Sequence, residues 1–541
     1  MKITHKPTGV RANALPVPAW RIKVREDGFY QLTYDKLLAA GLDVENLNPQ
    51  TFQLFHLGTE LVIHVEGQSD ENFDTEDTLL FYGEAIENKY TMDNVYWLTY
   101  GTETGLRMPS RDVAPSGAPQ AQTYSASFNM EINQMYMPWV PGEDDLERFL
   151  WDYVHPTRPF NFSFALESPW DEPGYLDLAL VGYTSYDTFD PDHHAIVKLN
   201  DFVIKELSWD GRSWQELHDA LIPTGILNPG TNEIEVILPG DTGADYDYVY
   251  FDWFNITYPK AFIAEADQLL FNYEIIDAVQ FHLEGFSTDD LVLFDISDPQ
   301  MVTKLLNANI AWEDPSFSLT FQEDGSVSGI KDYWAAEVTT YKTIEAIEQD
   351  FPSNLQSSSN EADHITITHA DFLSEAGTLS TFRNSQGLRT IAVDAQDIYD
   401  EFGYGIVGNA PIRDFLLYAY ENWESPAPSF VVLVGDGHYN PKNYNPPEYG
   451  VFRKNFIPPY LSMADPYMGE TAADNRYVAF VGEDTLPDMM LGRLAVNSQD
   501  EAAAFNNKII AYEGSSVDGD WKKKVLAIAD NADSAGNFPA L

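Results

Sequence analysis

Cysteine is missing altogether from the 541 residues. That excludes disulfides, thiolate metal sites and a cysteine nucleophile carried by this stretch itself. Basic residues are scarce: 31 Lys and Arg stand against 85 Asp and Glu, a net charge of −54. Such a surface repels nucleic acid and anionic lipid, so neither is expected as a partner. No run of about 18 apolar residues occurs, and no membrane-spanning helix is expected. The opening MKITHKPTGVRANALPVPAW lacks the apolar core of a secretory leader, so the protein is expected either to stay in the cytoplasm or to begin inside a longer precursor. Walker A, GxGxxG, HExxH and GxSxG patterns are also missing, as are repeats of solenoid or propeller period, which removes several common enzyme classes.

What is present supports large cores: 44% of residues are hydrophobic and 14% aromatic, and the length implies several domains. Residues 1–17 are polar and read as a disordered edge. A small β-rich domain is expected over 18–125, with a hairpin around Asp27-Gly28, a short helix from Tyr34 to Ala40 stopped by Gly41, and strands in FQLFHL, ELVIHVEG, TLLFYGE and YWLTYG. Residues 106–145 read as a connector rich in turn formers. A β-sandwich or jelly roll follows over 146–260, with turns at Leu199-Asn200-Asp201 and Asn228-Pro229-Gly230, then a smaller β segment over 261–345 and a polar linker over 346–362. From 363 to 520 the texture becomes strand–helix alternation. Strands are expected at 364–370, 389–395, 430–434 and 477–481, helices at 371–385, 412–423 and 501–513, the last with Ser498 as N-cap and Glu501 at N3. A further strand is expected at 525–531, within a segment 521–541 that starts a new unit. This rhythm predicts a parallel sheet.

Phe430 to Val434 is an unbroken apolar run, the mark of a strand covered on both faces, and it ends in Gly435-Asp436-Gly437-His438. Sites in open α/β sheets form outside the carboxyl ends of such strands, which makes His438, beside Asp436, a candidate base or ligand. Asp436, Asp465, Asp474, Asp484 and Asp488 are expected together on this rim, and oxygen ligands in loops suit structural Ca2+, although no EF-hand spacing is present. Asp190-Pro191-Asp192-His193-His194 has a metal-ligand composition, but adjacent histidines on a strand face opposite ways, which favours structural roles. Trp209, Trp214, Tyr246, Tyr248 and Trp253 could stack sugar rings or fill the sandwich core.

Several stretches together resemble one family. They are GFYQLTYDKLLAAG (28–41), HHAIVKLND (193–201), NPGTNEIEVILPG (228–240), FDWFNITYPK (251–260), FRNSQGLRTIAVDAQDIYDEFGYG (382–405), PAPSFVVLVGDGHYNPKNY (426–444) and ETAADNRYVAFVGEDTLPDMMLGRLAV. The chain is similar to the gingipain-type cysteine peptidases, and within them to members like the signal peptidase (sortase) of the type IX secretion system. The resemblance implies accessory β domains before a caspase-like catalytic domain of two subdomains, protein or peptide substrates, no required cofactor, and an extracellular or cell-surface location. It also implies a Cys/His dyad in the second subdomain, the histidine in a Gly-His-Gly context. Neither that triplet nor any cysteine occurs here, so the dyad is expected beyond residue 541 and this portion alone is expected to be inactive. Asp530 and Asp533 fall near the family's histidine-orienting acid, and calcium binding among relatives adds to the case for the rim aspartates. The alternative is a non-catalytic surface scaffold whose sandwich grips polysaccharide or protein.

Overall fold

The computed structural model describes residues 17–444, 453–482, 484–514, 519–526, 528, 529 and 532. Its amino-terminal part is built from β-sheets, and its carboxyl-terminal part is an α/β unit with a parallel sheet. Asp27-Gly28 does not close a hairpin. Ala19–Val24 pairs with Asn94–Thr99 and Ile347–Gln349, whereas Gly28–Thr33 pairs with Thr78–Gly83 and Lys342–Thr343. The turn carries the chain from one sheet to the facing one, so that Trp20, Ile22 and Val24 meet Tyr30 and Leu32 across a shared core. Local alternation is the same in a hairpin and in a sheet-to-sheet crossing, which is why the sequence pattern misleads here. The two strands at 342–349 also return to this first unit rather than ending the third.

The connector expected at 106–145 carries strands. Tyr124–Glu131 pairs along Val249–Lys260, and Ser110–Asp112 pairs with Thr303–Leu306 of the third unit. The sandwich itself forms as its alternation demands. Gly174–Gly182, Trp214–Ile222 and Val249–Lys260 face Phe160–Leu166, His193–Leu199 and Gly230–Ile237 over a core that includes Trp151, Phe160, Phe251 and Phe254. The Asn200-Asp201 turn has both residues at positive φ, 49° and 64°, as a two-residue hairpin of this twist requires.

In the α/β unit β1 is His364–Thr368, α1 Leu373–Ser385, β2 Thr390–Asp394, α2 Ala395–Gly403, α3 Asn409–Asn422, β3 Phe430–Val434, β4 Met490–Leu494 and α4 Gln499–Glu513. The four strands lie in the order β2-β1-β3-β4, all parallel. Ile365, Ile367, Val431 and Leu433 pack with Ile398, Ile412, Phe415 and Leu416 of α2 and α3 on one face. On the other, Val434 packs with Phe372, Phe456, Val496 and Ala502. The run 477–481 is not a strand: Asp474–Val478 is a 3-10 turn that buries Tyr477 and Val478 in the α2–α3 core. In 525–531, the described residues Val525, Leu526 and Ile528 lie outside any strand and are 95%, 82% and 87% exposed.

Candidate functional site

A parallel sheet ordered 2-1-3-4 has its topological switch between β1 and β3, and the crevice outside their carboxyl ends is where such folds bind ligands. Two loops border it here. After β1 comes His369-Ala370-Asp371, and after β3 comes Gly435-Asp436-Gly437-His438. The Thr368 hydroxyl ties the two strand ends by donating to the Val434 carbonyl at 3.2 Å.

Each polar group at this rim is oriented. Asp436 accepts from the Gly437 N–H at 3.0 Å and from the Asn497 amide at 3.1 Å. His438 Nδ1 lies 3.2 Å from the Asn440 N–H, and the His438 backbone N–H donates to Asn455 Oδ1 at 3.3 Å. His369, which the sequence reading passed over, accepts the Asp371 N–H on Nδ1 at 3.0 Å. Burial, helped by the Lys454 ammonium, holds the His369 pKa below its ordinary value, and the Lys454 hydrogen bond holds Asp371 low. A neutral imidazole that accepts on Nδ1 carries its proton on Nε2. His369 therefore carries its ring proton on Nε2 as a donor, whereas His438 Nδ1 lies against both the N–H and, at 3.4 Å, the carbonyl of Asn440, a setting that suits either tautomer. The same rule that marked His438, a polar residue just past a buried strand, would have marked His369.

Both glycines beside Asp436 are required by close approach. A Cβ at Gly435, where φ is +144°, would meet Phe456 at 2.8 Å, and one at Gly437 would meet the Ile457 carbonyl at 2.6 Å. Arg493 of β4, also unmarked by the sequence, closes over the same carbonyls. It donates to Gly435 O at 2.9 Å, Ile457 O at 2.8 Å and Pro458 O at 3.1 Å, and grips both oxygens of Asp474 at 2.6 and 3.1 Å.

The rim aspartates are engaged one by one. Asp474 holds Arg493, while Asp488 accepts from the N–H groups of Phe480 and Val481, which lower its pKa. Asp465 takes the N–H groups of Tyr467 and Met468, and Asp484 that of Leu486. Among the described residues they do not converge on one point, the sole trio of His, Asp or Glu ligand atoms being His282, Glu284 and Glu313. Asp530 and Asp533 lie outside the described residues. His193 is fully buried, 2.6 Å from Asp247 and 3.0 Å from Thr184 O, while His194 turns outward to Asp241 at 2.8 Å. The five aromatics sit in different settings: Trp209 is core, Trp214 donates to Pro141 O, Tyr248 meets the His155 ring at a tilt, Trp253 is half-buried, and Tyr246 is 63% exposed.

The amino-terminal units brace the α/β unit close to this rim. Glu470, on the hairpin Leu461–Asp465/Gly469–Ala472, is buried against Arg148 at 2.6 Å, Tyr136 at 2.9 Å and Lys89. Lys442 reaches Glu147 at 2.7 Å, and Asp144 accepts from Ser462 and the Met463 N–H.

Residues 357–540 match the family model described as Peptidase family C25. Comparison with curated proteins finds no match. Among solved structures the chain is similar to "dimeric latent PorU from Porphyromonas gingivalis", with a TM-score of 0.66 at 16% identity, covering 95% of this chain and 51% of that one. The chain thus spans about half the length of that protein, and shares its fold. Smaller matches are a CBM36-1 domain of a multidomain xylanase from the hindgut metagenome of Trinervitermes trinervoides (TM-score 0.14, 16% identity, 25% of this chain and 90% of that one) and a family 35 carbohydrate binding module from an environmental isolate (0.16, 19%, 26% and 96%).

Proposed function

We propose, from the C25 domain at residues 357–540, that this chain is the amino-terminal portion of a secreted or surface-exposed, gingipain-like cysteine endopeptidase acting on proteins or peptides. In that reaction a thiolate attacks the scissile carbonyl, a histidine passes a proton to the leaving amine, and water resolves the acyl-enzyme. The 541 residues contain no cysteine, so the thiolate and its histidine would belong to residues outside them, and this portion alone would not turn over peptides. The observation that carries the reading is the coincidence of the C25 match with a 2-1-3-4 parallel sheet whose switch point is bordered by hydrogen-bonded polar groups and braced by the β units. The donor tautomer of His369 supports a binding role for that residue and leaves proton abstraction to another group.

The test is an assay of the 541-residue chain on casein and on fluorogenic peptides, beside the protein in its full genetic context. The expected result is no turnover from the chain alone and iodoacetamide-sensitive turnover in full context. Turnover by the chain alone that His438→Ala abolishes would overturn the proposal. Polysaccharide affinity without any peptidase activity in either form would favour the scaffold reading instead.

A further inference from the structure

In the third β unit, Val279–Phe286 pairs with Ser316–Glu323, which pairs in turn with Asn309–Glu313. On this three-stranded sheet His282 sits opposite Thr320, whose hydroxyl lies 2.9 Å from Nδ1. The other ring nitrogen, Nε2, is 3.3 Å from a Glu284 carboxylate oxygen and 3.3 Å from one of Glu313. The ligand-type atoms of all three side chains fall within 4.8 Å of one another.

Two features set this trio apart from a plain ion pair. A charge-assisted N–H···O bond closes to about 2.7–2.9 Å, and both separations here are longer. Two ligands each about 2.1 Å from a tetrahedral ion lie about 3.4 Å apart, close to what is seen. The second feature is orientation. The Thr320 hydroxyl holds Nδ1 in place, which leaves Nε2 aimed at both carboxylates. A histidine whose far nitrogen is pinned by a hydroxyl or carbonyl while the near one points at carboxylates is the outer-shell pattern of metal ligands. The ring is 19% exposed and so is held, whereas Glu284 and Glu313, at 56% and 53%, are free to adjust and leave room for water to complete the shell.

We propose that His282, Glu284 and Glu313 form a divalent transition-metal site of the zinc class. One imidazole nitrogen with two carboxylates suits Zn2+, while Ca2+ and Mg2+ take all-oxygen sets. The ion would bridge the two outer strands of the sheet, joining Asn309–Glu313 to Val279–Phe286 across the central strand.

The experiment is calorimetric titration of the EDTA-stripped 541-residue chain with ZnCl2, together with its melting temperature. Saturable binding and a raised melting temperature are expected, with His282→Ala and Glu313→Gln each weakening the affinity at least ten-fold while circular dichroism stays unchanged. Thr320→Val, which only unpins the ring, is expected to weaken it less. In the wild type, Zn2+ is expected to shift the His282 ring-nitrogen NMR resonances, and CaCl2 to leave them unmoved. Zinc affinity equal in wild type and His282→Ala, no saturable heat, or an equal response to CaCl2 would each overturn the assignment.

Discussion

Arg493 shows at the scale of one residue how the rim after β3 is held open. Gly435 and Gly437 admit no side chain, so the loop cannot be fixed by packing from within, and its carbonyls need a donor from outside. A guanidinium supplies several in one plane and still pairs bidentately with Asp474, which an ammonium cannot reproduce. We expect Arg493→Lys and Asp474→Asn each to cost about 2 kcal/mol in urea unfolding, below the usual 3–5 for a fully buried pair because both side chains keep some solvent contact. The double variant should fall short of the sum by 1 kcal/mol or more, the signature of direct coupling. Additive losses would show that Asp474 acts elsewhere, for instance on an ion. None of this was legible in the sequence. Asp474 reads as one more rim carboxylate, and the 19 positions that separate it from Arg493 carry no periodic signal.

At the scale of elements, the strands of the α/β unit were readable because burial on both faces writes an unbroken apolar run, and α4 because Ser498 accepts the Glu501 N–H while Glu501 accepts that of Asn497. The run at Tyr477-Val478 failed the same test: a short apolar stretch does not distinguish a strand from a buried turn. Helix α2 shows a cost of the acidic composition. It carries Asp397, Asp400 and Glu401, beside its N-cap Asp394, toward Asp350 and a single opposing cation, Arg21, which is 2.6 Å from Asp400. Burial first, then Asp394, Asp350 and Glu401, push Asp397 up to about 6, and burial pushes Asp400 up to about 7 despite Arg21. A carboxyl raised in the folded state adds its stability below its unfolded value, near pH 4, and loses it as pH rises through the folded value. The helix N-terminus favours charge at Asp397 by only about 0.3–1 kcal/mol, too little to reverse this. Asp397→Asn is therefore expected to stabilise at pH 8 by about 1 kcal/mol after allowance for solvent screening, and to match the wild type near pH 4. Melting temperatures at the two pH values check it; an equal effect at both would remove the electrostatic cause. Asp400 is the poorer probe, because its loss leaves Arg21 without its nearest partner.

For the whole molecule the question is whether the β units and the α/β unit unfold as one body, and Glu470 is where that is decided. It is buried, and its carboxylate is the counter-charge for both Arg148 and Lys89. Burial, and after it the Arg148 charge, depress the Lys89 pKa, and Glu470 is the strongest group opposing that. Arg148 keeps backbone acceptors at Val140, Gly142, Glu143 and Leu146 whatever happens at Glu470, so its hydrogen bonds survive a substitution but its charge does not stay neutralised. Removing one member of a buried ionic cluster costs about 3–5 kcal/mol, most of it the stranded charge. That penalty exists only while the hairpin stays docked, since water reaches Arg148 and Lys89 once it lifts away. Gly469 adds to the sensitivity, because its backbone lies so close to Pro138 and Trp139 that the hairpin cannot shift sideways to relieve strain. The expected outcome of Glu470→Gln is undocking rather than local adjustment: calorimetry should resolve two thermal transitions where the parent gives one, and limited proteolysis should cut between residues 440 and 475 first. Glu470→Gln paired with Arg148→Met, which removes a charge with its partner, should recover much of the coupling. A single transition in Glu470→Gln, displaced by no more than a surface substitution displaces it, would mean that the Arg21–Asp400 contact and the Trp97 indole, which donates to Tyr404 O at 2.8 Å, hold the two parts together without Glu470.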